Sequence, residues 1–289
     1  NRQDYFKRIL QSKKICRILE THSPLSALIA ENIFFEKKEE RLEFDGFWSS
    51  SLTDSTLKGK PDIEVLDINQ RLINVNDIFD VTTKPLIIDI DTGGKIEHLE
   101  INLKTIERSG TSAVIIEDKK GLKKNSLFGT SVKQEQENVK VFSKKISAGK
   151  KATTNKLMII ARIESLILGK PLNDALLRAE NYVEAGADGI MIHSKDKNPK
   201  EIFKFAEKFR KKFTEVPLVA VPSSYNSVKD VQLENAGFNI VIYANHMLRA
   251  SYPAMQKIAL EILKNGRSYE SEKTIMSIGN ILDLIPGTK

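Results

Sequence analysis

The stretch Leu86-Ile87-Ile88-Asp89-Ile90-Asp91 decides the fold, and three others repeat its form: Ala113-Val114-Ile115-Ile116-Glu117-Asp118, Leu157-Met158-Ile159-Ile160-Ala161-Arg162 and Gly189-Ile190-Met191-Ile192-His193. Each is a short aliphatic run closed by a charged or polar residue. Strands buried on both faces look like this, and they belong to parallel sheets. In a parallel barrel the residue at a strand's C-terminal end faces the active site. Two aspartates, a glutamate, an arginine and a histidine delivered to one rim point to an enzyme that holds a metal ion and an anion together.

Working outward, the same reading predicts strands at Ile15–Leu19, Phe44–Trp48, Pro85–Asp89, Ser112–Glu117, Leu157–Arg162, Gly189–His193, Pro217–Val221 and Asn239–Tyr243. Amphipathic segments lie between them. The clearest is Pro171–Ala185, where Leu172, Ala175, Leu176, Ala179 and Val183 fall at helical spacing before the stop signal Gly186. Eight strands alternating with helices predict an α/β fold, a (β/α)8 TIM barrel, over an open sheet. We expect one barrel domain across residues 1–289, with a helical extension from about residue 253. No G-x-G-x-x-G or P-loop pattern follows any candidate strand, so nucleotide-binding folds find no support. The longest interruption, Lys119–Lys151, predicts an extended loop and helix after the fourth strand, placed where barrels carry lids.

At 289 residues, 40% hydrophobic and 29% charged, the chain has the material for one such barrel, which typically takes about 250 residues. Cys16 is the only cysteine, which excludes an internal disulfide and a thiol metal site and fits a reducing, cytoplasmic setting. Of the net charge of +7, much lies in Lys195–Lys212, with eight basic and three acidic residues around Ile202, Phe203, Phe205, Ala206 and Phe209. Lysines dominate that face, so it reads as a solvated helix and not as a nucleic-acid surface. No apolar stretch approaches the roughly 20 residues that span a bilayer, and Asn1–Tyr5 shows no apolar signal core.

Asp89 and Asp91, two positions apart at a strand end, point to one side if the strand continues through both. A hard cation that takes oxygen ligands and keeps several waters suits such a pair, and Glu117 on the next strand adds to it. Asp91-Thr92-Gly93-Gly94 is equally good turn chemistry. The run Glu117–Leu127 places lysines, Asn125 and Ser126 in a glycine-containing loop able to close over an anion; by composition alone it is a solvated lysine loop. Arg162 ends an apolar strand and must find an anion there, either a carboxylate or phosphoryl ligand or an internal partner such as Glu164. His193 takes weight from its charged company at the rim, while His22 and His246 read as structural.

These motifs resemble the phosphoenolpyruvate mutase family of the isocitrate lyase superfamily. The resemblance runs from about residue 15 to 255 and rests on Trp48 with Ser49-Ser50-Ser51-Leu52, Gly59-Lys60-Pro61-Asp62, Asp89-x-Asp91-Thr92-Gly93, the Glu117–Leu127 loop, Ala161-Arg162-x-Glu164, His193-Ser194-Lys195 and Tyr243-Ala244-Asn245-His246. It implies interconversion of phosphoenolpyruvate and phosphonopyruvate, with magnesium, or manganese in its place, as cofactor. It implies Asp89 as direct metal ligand and Asp91, Glu117 and Asp62 on the metal's waters. Trp48, Ser50 and Ser51 would wall the pocket, and Arg162 and His193 would bind the phosphoryl group. Lys123, Asn125, Ser126 and Leu127 would sit on the lid, with Asn125 at the migrating phosphoryl. It also implies a homodimer or homotetramer exchanging its last helix, here Pro253–Gly266.

Two relatives' chemistries stand beside it: phosphonopyruvate hydrolysis and C–C cleavage. The lyases carry Lys-Lys-Cys-Gly-His on the loop where this chain has Asn125 and no cysteine, and hydrolases differ at the Asn125 position. A non-catalytic barrel that docks an acidic partner through the basic helix is the reading from another class. Two departures from the family stand out. Ser49-Ser50-Ser51 replaces the common Gly-Ser-Gly, which strains Ser51 if that backbone needs positive φ; and Glu36–Arg41 is an insertion expected at the surface.

Overall fold

The computed structural model describes residues 1–37 and 40–287, in two compact units, Asn1–His246 and Met247–Lys289. The first unit is a closed parallel barrel of eight strands: β1 Cys16–Glu20, β2 Gly46–Ser49, β3 Leu86–Asp89, β4 Ala113–Glu117, β5 Met158–Ile163, β6 Gly189–Ile192, β7 Leu218–Ala220 and β8 Ile240–Tyr243. Each strand pairs with its sequence neighbours, and β1 closes the ring against β8 through Cys16↔Ile240 and Leu19↔Tyr243. All eight predicted strands are present, with ends shifted by one or two residues.

Ile18, Trp48, Ile87, Ile115, Ile160, Met191, Val219 and Ile242 point inward and fill the barrel. Their neighbours on each strand point outward, onto a ring of amphipathic helices, so the strands are apolar on both faces. Local signals fix the helices. Ser23 and Ser26 form a capping box ahead of Pro24–Asn32, and Gly110 at φ 90° ends Ile96–Ser109. An unpredicted element is the N-terminal helix Arg2–Ser12. Its Phe6 and Ile9 join the interior cluster beside Cys16, Ala113, Met158 and Ile240, the first residues of their strands, so this helix plugs the end opposite the site.

The Glu36–Arg41 insertion belongs to an antiparallel hairpin, Phe34–Lys37 with Glu40–Glu43; residues 38–39 lie outside the described residues. Phe35 is 64% exposed, as a surface feature requires. The segment after β4 contains a two-stranded ribbon (Lys119–Lys120 with Glu135–Gln136), a 3-10 turn at Ser126–Ser131 and the helix Val139–Ala152. The second unit continues the helix His246–Asn265, which has no buried residue, and adds the short helices Ser271–Lys273 and Ile278–Asp283. Among the described residues no helix is long and apolar enough to cross a membrane.

Candidate active site

The strand register sets the site. Glu117 of β4 lies beside Arg162 of β5, which lies beside Met191 of β6, and Asp89 of β3 lies beside Ile115. Their polar side chains therefore emerge together at the C-terminal mouth. Trp48, Ser50, Ser51, Asp62, Asp89, Lys123, Asn125, Ser126, Leu127, Arg162 and His193 line one cavity there, with Met191, Val221, Ser223 and Asn245 completing its wall. Asp91 and Glu117 are not in that lining. Asp91 borders a neighbouring cavity beside Glu64 and Arg71, and Glu117 is fully buried behind Arg162 and Lys119.

Asp91 does not reach the site by strand continuation. The strand stops at Asp89, and Asp91 takes the left-handed conformation at φ 55°, a turn that aspartate tolerates and that returns its carboxylate inward. Its backbone N–H donates to Asp89 Oδ1 at 3.0 Å, and Ser51 Oγ donates to Asp89 Oδ2 at 3.2 Å. Ser51 opens the helix Ser51–Leu57 and is not among the residues of positive φ, so the Ser49-Ser50-Ser51 sequence carries no such strain.

The loop Lys123–Leu127 folds over the mouth. Lys123 Nζ, 4% exposed, donates to Ser51 Oγ and Asp62 Oδ1 at 2.5 Å each and pairs with Asp91. Asn125 Nδ2 donates to Asp62 Oδ2 at 3.0 Å, while its Oδ1 accepts the Leu127 N–H at 3.1 Å. Of the lysines that read as a solvated loop, Lys119 and Lys123 are thus buried counter-charges, while Lys120 stays exposed with Gly121, Leu122 and Leu127.

Arg162 has both an internal partner and a face on the cavity. Its Nε donates to Glu164 Oε1 at 2.5 Å, and its Nη2 donates to Ser126 Oγ at 2.6 Å and His193 Nδ1 at 2.9 Å. Its Nη1 approaches Asp89 only at 3.7 Å. His193 Nδ1 lies between Arg162, which can only donate, and Glu164 Oε1 at 3.2 Å, which as a carboxylate can only accept, so its two neighbours favour opposite ring tautomers. Burial, and then the Arg162 charge, hold His193 below its ordinary pKa and hence neutral.

Glu164, read from the sequence only as an internal partner for Arg162, and Lys119, which the sequence reading did not assign a role, are both site residues. Glu164 accepts from Ser126 Oγ at 2.6 Å as well as from Arg162. Lys119 Nζ donates to Ser126 Oγ at 2.9 Å and lies 3.2 Å from Glu117. The signal for Glu164 was its place two residues beyond Arg162, just past the end of β5. His22, read as lacking charged company, has Glu20 Oε1 2.7 Å from its Nδ1, though neither lines the cavity.

Five carboxylates (Asp62, Asp89, Asp91, Glu117, Glu164) meet three cations (Lys119, Lys123, Arg162), leaving a formal excess of two negative charges. The consequence falls on particular groups. Burial raises Asp91 to about 6, even with Lys123 beside it. Burial pushes Glu117 up to about 8 despite Arg162 and Lys119, and neither of its oxygens accepts a hydrogen bond. Asp89 is also buried, but Lys123, Arg162 and Arg71 hold it below the usual carboxylate range. Excess charge and unfilled carboxylate lone pairs fit one hydrated divalent cation. Among the described residues no three acidic, histidine or cysteine side chains close on a single point, so the donor set suits an ion that keeps most of its waters.

A parallel barrel with this mouth, closed by a loop carrying cationic and amide groups, is an enzyme for small anionic molecules. The chain matches the family model of phosphoenolpyruvate phosphomutase over residues 6–263 and belongs to that family. It is 34% identical to the phosphonopyruvate hydrolase of Variovorax sp. (strain Pal2), over 95% of this chain and 91% of the relative. The crystal structure of phosphoenolpyruvate phosphomutase from Streptomyces platensis subsp. rosaceus superimposes with a TM-score of 0.89 at 34% identity, covering 98% of this chain and 95% of that one. A phosphonopyruvate hydrolase solved with oxalate and Mg++ superimposes with a TM-score of 0.85 at 31% identity, covering 98% and 94%.

Proposed function

We propose that this chain is a phosphoenolpyruvate phosphomutase, an isomerase that moves a phosphoryl group between oxygen and carbon of one substrate. The C2–O–P linkage breaks, leaving the enolate of pyruvate, and C3 of that enolate forms the new bond to phosphorus; no proton is gained or lost. Phosphoryl transfer through a loose transition state needs little covalent help. Positioning and charge stabilisation do most of the work.

Arg162 and the His193 ring, both on the cavity wall, would hold the phosphoryl oxygens while the group passes between the two ends of the enolate. The backbone N–H groups of Ser50 and Ser51 would take the substrate carboxylate or enolate oxygen, against the wall formed by Trp48. Magnesium, or manganese in its place, would sit on Asp89, with Asp62, Asp91 and Glu117 on its waters; when bound it supplies positive charge opposite the substrate's oxygens. Lys123 would hold the lid to Asp62, Asp91 and Ser51, and Ser126 and Leu127 would close its inner edge. The Asn125 amide would face the migrating group.

The observation that carries the reading is the lid: it brings Asn125 and Ser126 over Arg162 and His193, and the lysine it sends inward is already bound to carboxylates. That arrangement covers the residues proposed to hold the phosphoryl group and keeps Lys123 paired, so the lid lysine is not free to activate a water. Similarity to phosphonopyruvate hydrolase favours the second reading, in which water captures the phosphoryl group. Lyase chemistry through a thiol finds no residue, because Cys16 is buried at the plugged end of β1 with its thiol pushed up to about 12 by burial. Phosphorus NMR of the protein with magnesium and phosphonopyruvate tests the proposal: the phosphoenolpyruvate resonance is expected, and free phosphate as the sole product refutes it.

A further inference from the structure

A charged group lies behind the carboxylates that the proposed chemistry does not use. Arg71, on the helix Ile68–Val81, is 3% exposed. Its Nε donates to Asp54 Oδ2 at 2.9 Å, and its Nη2 donates to both the carbonyl and the Oγ of Ser49 at 3.2 Å. Its Nη1 donates to the backbone carbonyl of Asp89. Ser49 Oγ in turn donates to Asp54 Oδ2 at 2.8 Å. One guanidinium thus ties the last residue of β2 to the last residue of β3, where the chain turns into the Ser51 helix on one side and the Asp89-x-Asp91 turn on the other.

Stability alone does not call for this group. A buried ion pair replaced by well-packed apolar residues is often as stable or more so. What an apolar pair does not provide is a planar fork that grips two strand-end carbonyls at once, and a lysine, with one compact ammonium, does not reproduce it either. The grip bears on the site directly. Asp89 and Ser51 are joined at 3.2 Å across the same two strand ends, and that spacing is set by where the two backbones stop.

We propose that Arg71, with Asp54 and Ser49, is a positioning residue that fixes Asp89 and Ser51 for cation and substrate; this rests on the reading of Asp89 as a metal ligand. Groups that orient metal ligands are typically worth about 10–100-fold in metal affinity.

The test is Mn2+ binding by the metal-stripped full chain without substrate, followed by electron paramagnetic resonance, alongside thermal melts and kcat and KM for phosphonopyruvate. Arg71→Lys and Asp54→Asn are expected to weaken Mn2+ binding about tenfold or more and to lower kcat more than they raise KM. Leu72→Ala, which removes a buried side chain from the same helix, is the control for general loosening: it should lower Tm and leave Mn2+ binding within about twofold. Variants that bind Mn2+ like the wild type overturn the proposal, as does an equal loss in Leu72→Ala. If Arg71→Lys does not fold, Asp54→Asn decides. A wild-type chain that binds no Mn2+ sinks the metal assignment itself and the proposal with it, a result distinct from wild type and variants binding alike.

Discussion

Replacing Glu164 with glutamine should cost both stability and activity, and the stability loss should depend on pH in a defined direction. Glu164 is fully buried, and its two oxygens take Arg162 Nε at 2.5 Å and Ser126 Oγ at 2.6 Å, with His193 Nδ1 at 3.2 Å and Lys119 Nζ at 3.8 Å. Burial opposes its charge, but Arg162, then His193 and Lys119, outweigh burial and hold its pKa well below the ordinary value. Glutamine keeps the shape and removes the charge, leaving Arg162 without its closest counter-ion. Breaking a buried pair this way costs about 3–5 kcal/mol, which for a chain of this size lowers Tm by roughly 6–12 °C. The folded pKa is depressed, so the stabilisation from Glu164 is complete above its unfolded pKa of about 4.5 and is lost as pH falls below that toward the folded value. Urea unfolding of wild type and Glu164→Gln at pH 7, 5 and 4 should show a gap that is constant from 7 to 5 and begins to narrow at 4. Turnover should fall about 100-fold, because Arg162 and His193 lose their shared anchor. Equal stability of the two proteins at pH 7, or a gap that widens in acid, refutes the argument.

Lys123→Met removes the ammonium that joins the lid to Asp62, Asp91 and Ser51 and raises the local excess of negative charge; turnover of phosphonopyruvate should drop at least about 100-fold, read by phosphorus NMR. Stripping divalent cations should abolish turnover, and restoring magnesium at about 100 times its dissociation constant should stabilise the fold by about 2.7 kcal/mol in a thermal-shift titration; activity persisting in chelator would overturn the metal assignment. Cys16, buried with its thiol pushed up to about 12, should resist a thiol-specific disulfide reagent at pH 8 in the native protein and react once urea unfolds it. The helix His246–Asn265 buries no residue and leaves Met255, Leu260 and Leu263 exposed, so the chain should sediment as a dimer or tetramer, and a monomeric mass would remove that reading.

The barrel was legible because its strands cannot hide. A strand covered by helices outside and side chains inside must be apolar throughout, so the polar residue that closes Leu86–Asp89 or Leu157–Arg162 stands out against it. The same contrast exposed Asp89, Glu117, Arg162 and His193, whose local surroundings are incompatible with them unless a site exists. Residues that serve those charges had no such contrast. Lys119 stands in a run of lysines, and Arg71 stands among Asn69, Gln70 and Asn74 on a helix whose polar residues otherwise read as surface. Their burial is decided by partners far along the chain: Arg71 meets Asp54 and Asp89, and Lys123 meets Ser51 and Asp62. A burial pattern is a property of one segment, whereas a satisfied buried charge is a property of two or three brought together by the closed sheet. That division explains why the plug helix Arg2–Ser12 also escaped. Its Phe6 and Ile9 are ordinary amphipathic positions until the barrel offers an open end to fill. The carboxylate mouth follows from what cannot be left inside an apolar strand; the network that steadies it follows from what closure makes neighbours.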